Sequence, residues 1–191
     1  MQLQKMHHKE NKRPYRIGAA FLAAFLFLGL ASFENSNTRL MQKLNAAVEG
    51  AFAVQDFNLD VMQVDAKVNQ LTTVELGKEN LYAIKKDDVL LGYAYLGQAP
   101  SMKNIFDYTV LLTPDLHIKK SKVLIYREDY GRQIGSQRWL KQFIGKKVGE
   151  QLGYGEDVDA IAGATISAKS MTKAVNDVLE SLKVLQEKGI L

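Results

Sequence analysis

The 191-residue chain contains no cysteine. That excludes disulfides, cysteine-ligated zinc, iron–sulfur clusters and c-type haem attachment. Histidine is almost as scarce, with only His7, His8 and His117. A single histidine after residue 8 leaves the main body without the donors for a bis-histidine haem, a histidine-built metal centre or a Ser/His/Asp triad. Any redox chemistry then needs an organic carrier brought in from outside. A basic field is missing too, despite a net charge of +4. Of 25 basic and 21 acidic residues, five basic and one acidic fall before residue 34, which leaves 20 of each in the remainder. The excess belongs to the N-terminal tail, and no nucleic-acid partner is expected for the body. There is no P-loop lysine near residues 163–167 and no GxGxxG opening a helix. The carboxylate pairs Asp87/Asp88 and Asp157/Asp159 fall in turns, where solvation accounts for them. Neither a catalytic residue nor a metal ligand is expected.

One apolar run stands out against these absences. Ile17 to Phe33 is 17 apolar or small residues without interruption. As a helix it would span roughly 25 Å, close to the lower limit for a bilayer crossing. The cationic residues 1–16 on its N-terminal side should stay in the cytoplasm. The expectation is a single-pass anchor in the cell inner membrane, in contact with lipid, with the C-terminal body periplasmic. A cleaved signal peptide is the alternative, with Gly29-Leu30-Ala31 as a weak small-x-small site.

Residues 34–80 are expected to form a juxtamembrane helix and linker. Leu40, Leu44, Ala47, Val48 and Ala51 follow helical spacing, Phe57 to Val64 hints at extended structure, and 65–80 is mixed and polar. From residue 81 the pattern turns to sheet. Strands are expected at 81–85, 89–98, 106–112 and 118–126, joined by short turns at Asp87-Asp88 and Thr113-Pro114-Asp115. Such connections argue for an antiparallel meander. After a polar loop, Arg127 to Gly131, comes an apolar patch at helical spacing (Trp139, Leu140, Phe143, Ile144), then a glycine-rich loop over 148–158. The fold class is therefore α+β: an antiparallel sheet packed with helices, preceded by one transmembrane helix, with the exported domain at 81–191.

The last stretch carries the chemistry. Asp159-Ala160-Ile161-Ala162-Gly163-Ala164-Thr165-Ile166-Ser167 is a turn of small residues opening into a helix. Met171, Ala174, Val175, Val178, Leu179, Leu182 and Leu185 form the apolar stripe of that helix. Ser167 is the expected N-cap, and Gly163 supplies backbone freedom just before it. The first N–H groups of a helix lack internal partners and its dipole favours negative charge there. The hydroxyl of Thr165 would sit where a phosphate binds well.

The stretch Asp159 to Thr165 closely resembles the D-x-x-(S/T)-G-A-T signature of the FMN-binding domain family. That family includes the G subunit of the Rnf electron-transport complex and the C subunit of the sodium-pumping NADH:quinone oxidoreductase. Further similarity lies at Gly92-Tyr93, at Glu128-Asp129-Tyr130-Gly131, at Trp139 and at Phe143-Ile144-Gly145-Lys146. Ala162 stands where the family has Ser or Thr, and Asp129-Tyr130 where it has Thr-Pro. The resemblance implies FMN joined to Thr165 by a phosphoester, attached by a separate flavin transferase. It implies an electron-relaying flavoprotein partnered by membrane electron-transport subunits. Asp159, Gly163, Ala164, Ile166 and Ser167 are the implied motif contacts, with Glu128, Tyr130, Trp139 and Tyr93 the candidates to lie near the flavin ring. Two other classes stay open: an extracytoplasmic flavin-dependent reductase of a small acceptor, and an anchored binding module in which the Gly-Ala-Thr turn is only a helix cap.

Overall fold

The computed structural model describes residues 37–191. The chain divides into two units between Arg39 and Leu40, and the second, Leu40–Leu191, is compact. The basic tail and the apolar run at 17–33 lie outside the described residues. Among the described residues no helix is long and apolar enough to cross a membrane.

The second unit is built on a five-stranded antiparallel meander, β1 (Asn58–Val61), β2 (Leu81–Lys86), β3 (Val89–Pro100), β4 (Ile105–Leu112) and β5 (Ile118–Ile125), each strand paired with the next in sequence. The four strands expected from residue 81 onward all form. Lys86 pairs with Val89 across Asp87 and Asp88, whose φ values of 49° and 62° are what a two-residue type I′ hairpin connection requires. The extended character of 57–64 becomes the edge strand β1, with Leu59 opposite Ile84.

Strand alternation sends side chains into two separate apolar layers. Leu81 and Ala83 of β2, Tyr93 and Tyr95 of β3, and Phe106, Tyr108, Val110 and Leu112 of β4 belong to one. Tyr82, Ile84, Ala94, Leu111 and Leu124 belong to the other. Each layer is closed by a helix. The helix expected over 40–52 forms (α1, residues 37–52), and its Leu44, Ala47 and Val48 are fully buried in the second layer.

The first layer is closed by the long C-terminal helix α4 (Thr165–Glu187). All seven residues of its expected stripe, Met171 to Leu185, are buried. Beside it lie the short helix α3 (Gln137–Leu140) and two 3-10 turns, Arg132–Gly135 and Lys141–Phe143. These bring Ile134, Trp139, Leu140 and Phe143 into the same layer.

Residues 65–80 hold together through side chains rather than a ladder. Following the single turn of α2 (Ala66–Asn69), the Asn69 amide pairs with both backbone groups of Leu76, at 2.7 and 2.8 Å. Ser181, fully buried on α4, accepts from the N–H groups of Thr73 and Val74, each at 3.0 Å. Replacing that hydroxyl would leave two inward-facing donors without an acceptor. Ser181→Ala should destabilise the domain by about 1–3 kcal/mol, seen as a lower denaturant midpoint at unchanged slope.

Candidate functional site

The motif enters its helix through a four-residue turn, closed by the Ala164 N–H donating to the Ile161 carbonyl at 3.1 Å. Gly163 has φ +77°, a conformation that costs a side-chain-bearing residue and is free for glycine. Helix α4 then starts at Thr165, with Ala164 as N-cap and no side-chain cap. Ser167, expected as the cap, is the third helical residue. It is buried, and its hydroxyl is hydrogen-bonded to the Tyr126 hydroxyl at 2.9 Å. The apolar stripe from Met171 locates the helix but not its first turn. Thr165 and Ile166 are β-branched, but at the start of a helix there is no preceding turn for their branches to crowd. Thr165 is therefore exposed on the first turn, beside N–H groups that have no carbonyl within the helix.

Facing this turn are two loops from the same end of the sheet, the one before β4 and the one after β5. They are neighbours because β4 and β5 pair antiparallel, with Asp107 opposite Ile125. Gly131 packs so closely on the motif that a Cβ there would come within 2.8 Å of the Tyr126 hydroxyl and 3.4 Å of both the Ala164 Cβ and the Gly163 carbonyl. Glu128 ties the two loops together. One of its oxygens accepts from the Ser101 hydroxyl (2.7 Å) and from the backbone N–H of Lys103 (2.6 Å) and Asn104 (2.9 Å). Those bonds, the Ser101 hydroxyl foremost, hold its carboxyl below the usual glutamate range. Behind it, Asp107 is buried and both its oxygens are used: one takes the Arg127 guanidinium at 2.6 Å, the other the Gln98 amide at 2.7 Å.

Together these elements enclose an open cleft of about 550 Å³, lined on one side by residues 163–167 and on the other by 102–104 and 126–131. Its volume lies within the roughly 300–1,000 Å³ usual for small-molecule sites. Three large apolar side chains are left in solvent at its edge: Tyr130 (85 % exposed), Met102 (73 %) and Ile166 (52 %). Clustered around one cleft, they mark a surface suited to a flat apolar group.

Of the residues singled out in the sequence, Gly163, Ala164, Thr165, Ile166, Ser167, Glu128 and Tyr130 converge on this cleft. Three do not. Trp139 is buried and donates from its indole N–H to the Asp159 carbonyl at 2.7 Å; with Asp159 it lines a separate cleft of about 390 Å³. Tyr93 belongs to the core on the α4 side of the sheet and lines neither cleft; burial pushes its phenol pKa up. Its place on β3, counted from the buried Tyr95, already put it on that inward face. Glu128 reaches the cleft chiefly as the brace of its far wall. Met102, Lys103, Asn104, Tyr126, Arg127 and Gly131 also line the cleft, and none of them is among the site residues expected from the sequence. The signal available was the β4–β5 hairpin itself, which forces the segments flanking it to meet.

The motif lies within a match to a known family. Residues 103–180 match the family model described as the FMN-binding domain. Among solved structures, the crystal structure of Shewanella oneidensis NqrC is similar at 16 % identity, with 66 % of this chain and 70 % of that chain covered and a TM-score of 0.46. No curated protein matches the chain.

The brace makes a pH-dependent prediction. A carboxyl whose pKa is depressed by folding stabilises its surroundings above its unfolded pKa, and that contribution is lost as pH falls through the lower folded value. The Lys103 and Asn104 amides should stay protected from hydrogen exchange at neutral pH and lose protection only below the usual glutamate range. Glu128→Ala should abolish that protection at neutral pH.

Proposed function

We propose that this chain, whose residues 103–180 match the model of the FMN-binding domain family, is a membrane-anchored flavoprotein that carries FMN as a phosphoester on Thr165 and relays electrons to or within a membrane redox complex. The observation that carries this reading is the exposed Thr165 hydroxyl on the first turn of α4, at the mouth of a cleft with an apolar rim.

The residues present fit such a group. The first turn of α4 favours a phosphate through its N–H groups and the helix dipole, by roughly 0.3–1 kcal/mol for the charge. Gly163 presents no side chain, and Ala164 is small and buried, so nothing on the motif shields the hydroxyl. Tyr130, Met102 and Ile166 would cover the apolar ring and keep water from it. When bound, FMN supplies a ring that takes up and returns electrons. The chain's task is to hold that ring at the protein edge, and the exposure of the rim suits exchange with another protein.

A threonine hydroxyl is un-ionised near neutral pH, so the attachment needs a base and a cation from a separate flavin transferase. The apolar run at 17–33 supports an inner-membrane anchor and a periplasmic domain, where a tether prevents loss of the cofactor. The reductase alternative finds no histidine at the cleft: His117 lies in the turn between β4 and β5, at the end of that hairpin opposite the cleft.

Intact mass tests the reading. Co-expressed with an active transferase, the wild-type chain should carry the mass of FMN less water, and Thr165→Ala should carry none. Ser167→Ala should keep the added mass, because its hydroxyl is buried against Tyr126. A wild-type chain at its bare mass would refute covalent attachment, and loss of FMN in Ser167→Ala alone would move the acceptor to that residue.

A further inference from the structure

Residues 159–163 form an exposed segment: Asp159, Ala160, Ala162 and Gly163 all face solvent, and only Ile161 packs on the core. Its first residue is nevertheless held on both sides of its backbone. The Trp139 indole donates to the Asp159 carbonyl at 2.7 Å, and the Asp159 N–H donates to the Gln142 side-chain oxygen at 2.9 Å. Gln142 is itself fixed, since its amide donates to the Trp139 carbonyl at 3.0 Å. The platform beneath is rigid, because Trp139 stands edge-on to the fully buried Phe143, with ring centres 5.4 Å apart at 84°. No bond of this set touches the larger cleft. Two of them grip Asp159, six positions before Thr165, and the others brace the side chains that make those two.

We propose that Gln142 and Trp139 are positioning residues for the modification of Thr165: they lock the Asp159 peptide so that the acceptor loop is presented in one conformation to the flavin transferase. The inference rests on the proposed attachment of FMN. In that step the Thr165 oxygen attacks the flavin-side phosphorus of flavin adenine dinucleotide. The new P–O bond forms as the pyrophosphate P–O bond breaks, adenosine monophosphate leaves, and the hydroxyl proton passes to a base of the transferase. A loop free to wander must be ordered on each encounter, whereas a loop locked in advance meets the transferase already ordered. The remaining restraints complete the presentation: the Ile161–Ala164 turn, and Ala164 buried beneath Gly131.

The test follows modification of the full chain by a flavin transferase, using flavin adenine dinucleotide and Mg²⁺ with intact mass against time. Gln142→Ala removes the acceptor on a half-buried side chain, and Trp139→Phe removes the indole donor while retaining an aromatic ring. Each should lower kcat/KM for the acceptor chain by about 10- to 100-fold, with the melting temperature within a few degrees of wild type. Gln142→Glu keeps an oxygen for the Asp159 N–H and should recover most of the rate lost in Gln142→Ala. Wild-type rates in both Gln142→Ala and Trp139→Phe overturn the positioning role alone. So does a rate that follows melting temperature across the set, with Gln142→Glu no better than Gln142→Ala. A wild-type chain that is never modified overturns the proposed attachment and this inference with it.

Discussion

Burial of the α4 stripe against one face of the sheet decides where Thr165 can be. Seven apolar residues from Met171 to Leu185 are removed from water, the methionine, valines and leucines each contributing on the order of 1.5–3 kcal/mol relative to exposure if fully buried. The helix cannot slide or rotate without exposing some of them. Its first turn, six residues before Met171, is therefore held at one place at the edge of the core. Ser167 reinforces this from inside the turn through its bond to Tyr126, the residue that follows β5.

The same sheet supplies the opposite wall. β4 and β5 are paired along most of their length, so the loops before and after them share one end of the sheet. Glu128 joins these loops with one oxygen, and the buried Asp107–Arg127 pair anchors the base of the second. A buried carboxylate is costly unless both oxygens are satisfied, and here a guanidinium and an amide satisfy them. The result is a cleft whose polar groups face one another and whose apolar side chains face water.

The two clefts divide the motif between them. Residues 163–167 line the larger one and Asp159 to Ile161 the smaller, while Ala162 lies exposed between them. The short sequence thus combines a helix-start end, where small residues leave the Thr165 hydroxyl open, with a lead-in end gripped by Trp139 and Gln142.

Local periodicity and turn chemistry determined much of this protein without reference to its tertiary structure. The stripe of α4, the face of α1, four strands and the hairpin at Asp87-Asp88 were all legible, because each depends on residues a few positions apart. So was the hydroxyl of interest, because glycine, alanine and threonine at fixed spacing form the match. Tertiary structure decided what depends on distant residues. The polar segment 65–80 carries no period because Asn69 and Ser181 hold it, the latter more than a hundred residues away. Trp139 was drawn to the Asp159 backbone rather than to the larger cleft. Of the far wall of that cleft only Glu128 and Tyr130 were marked in the sequence, since no property of Met102 or Arg127 alone says that they will line it.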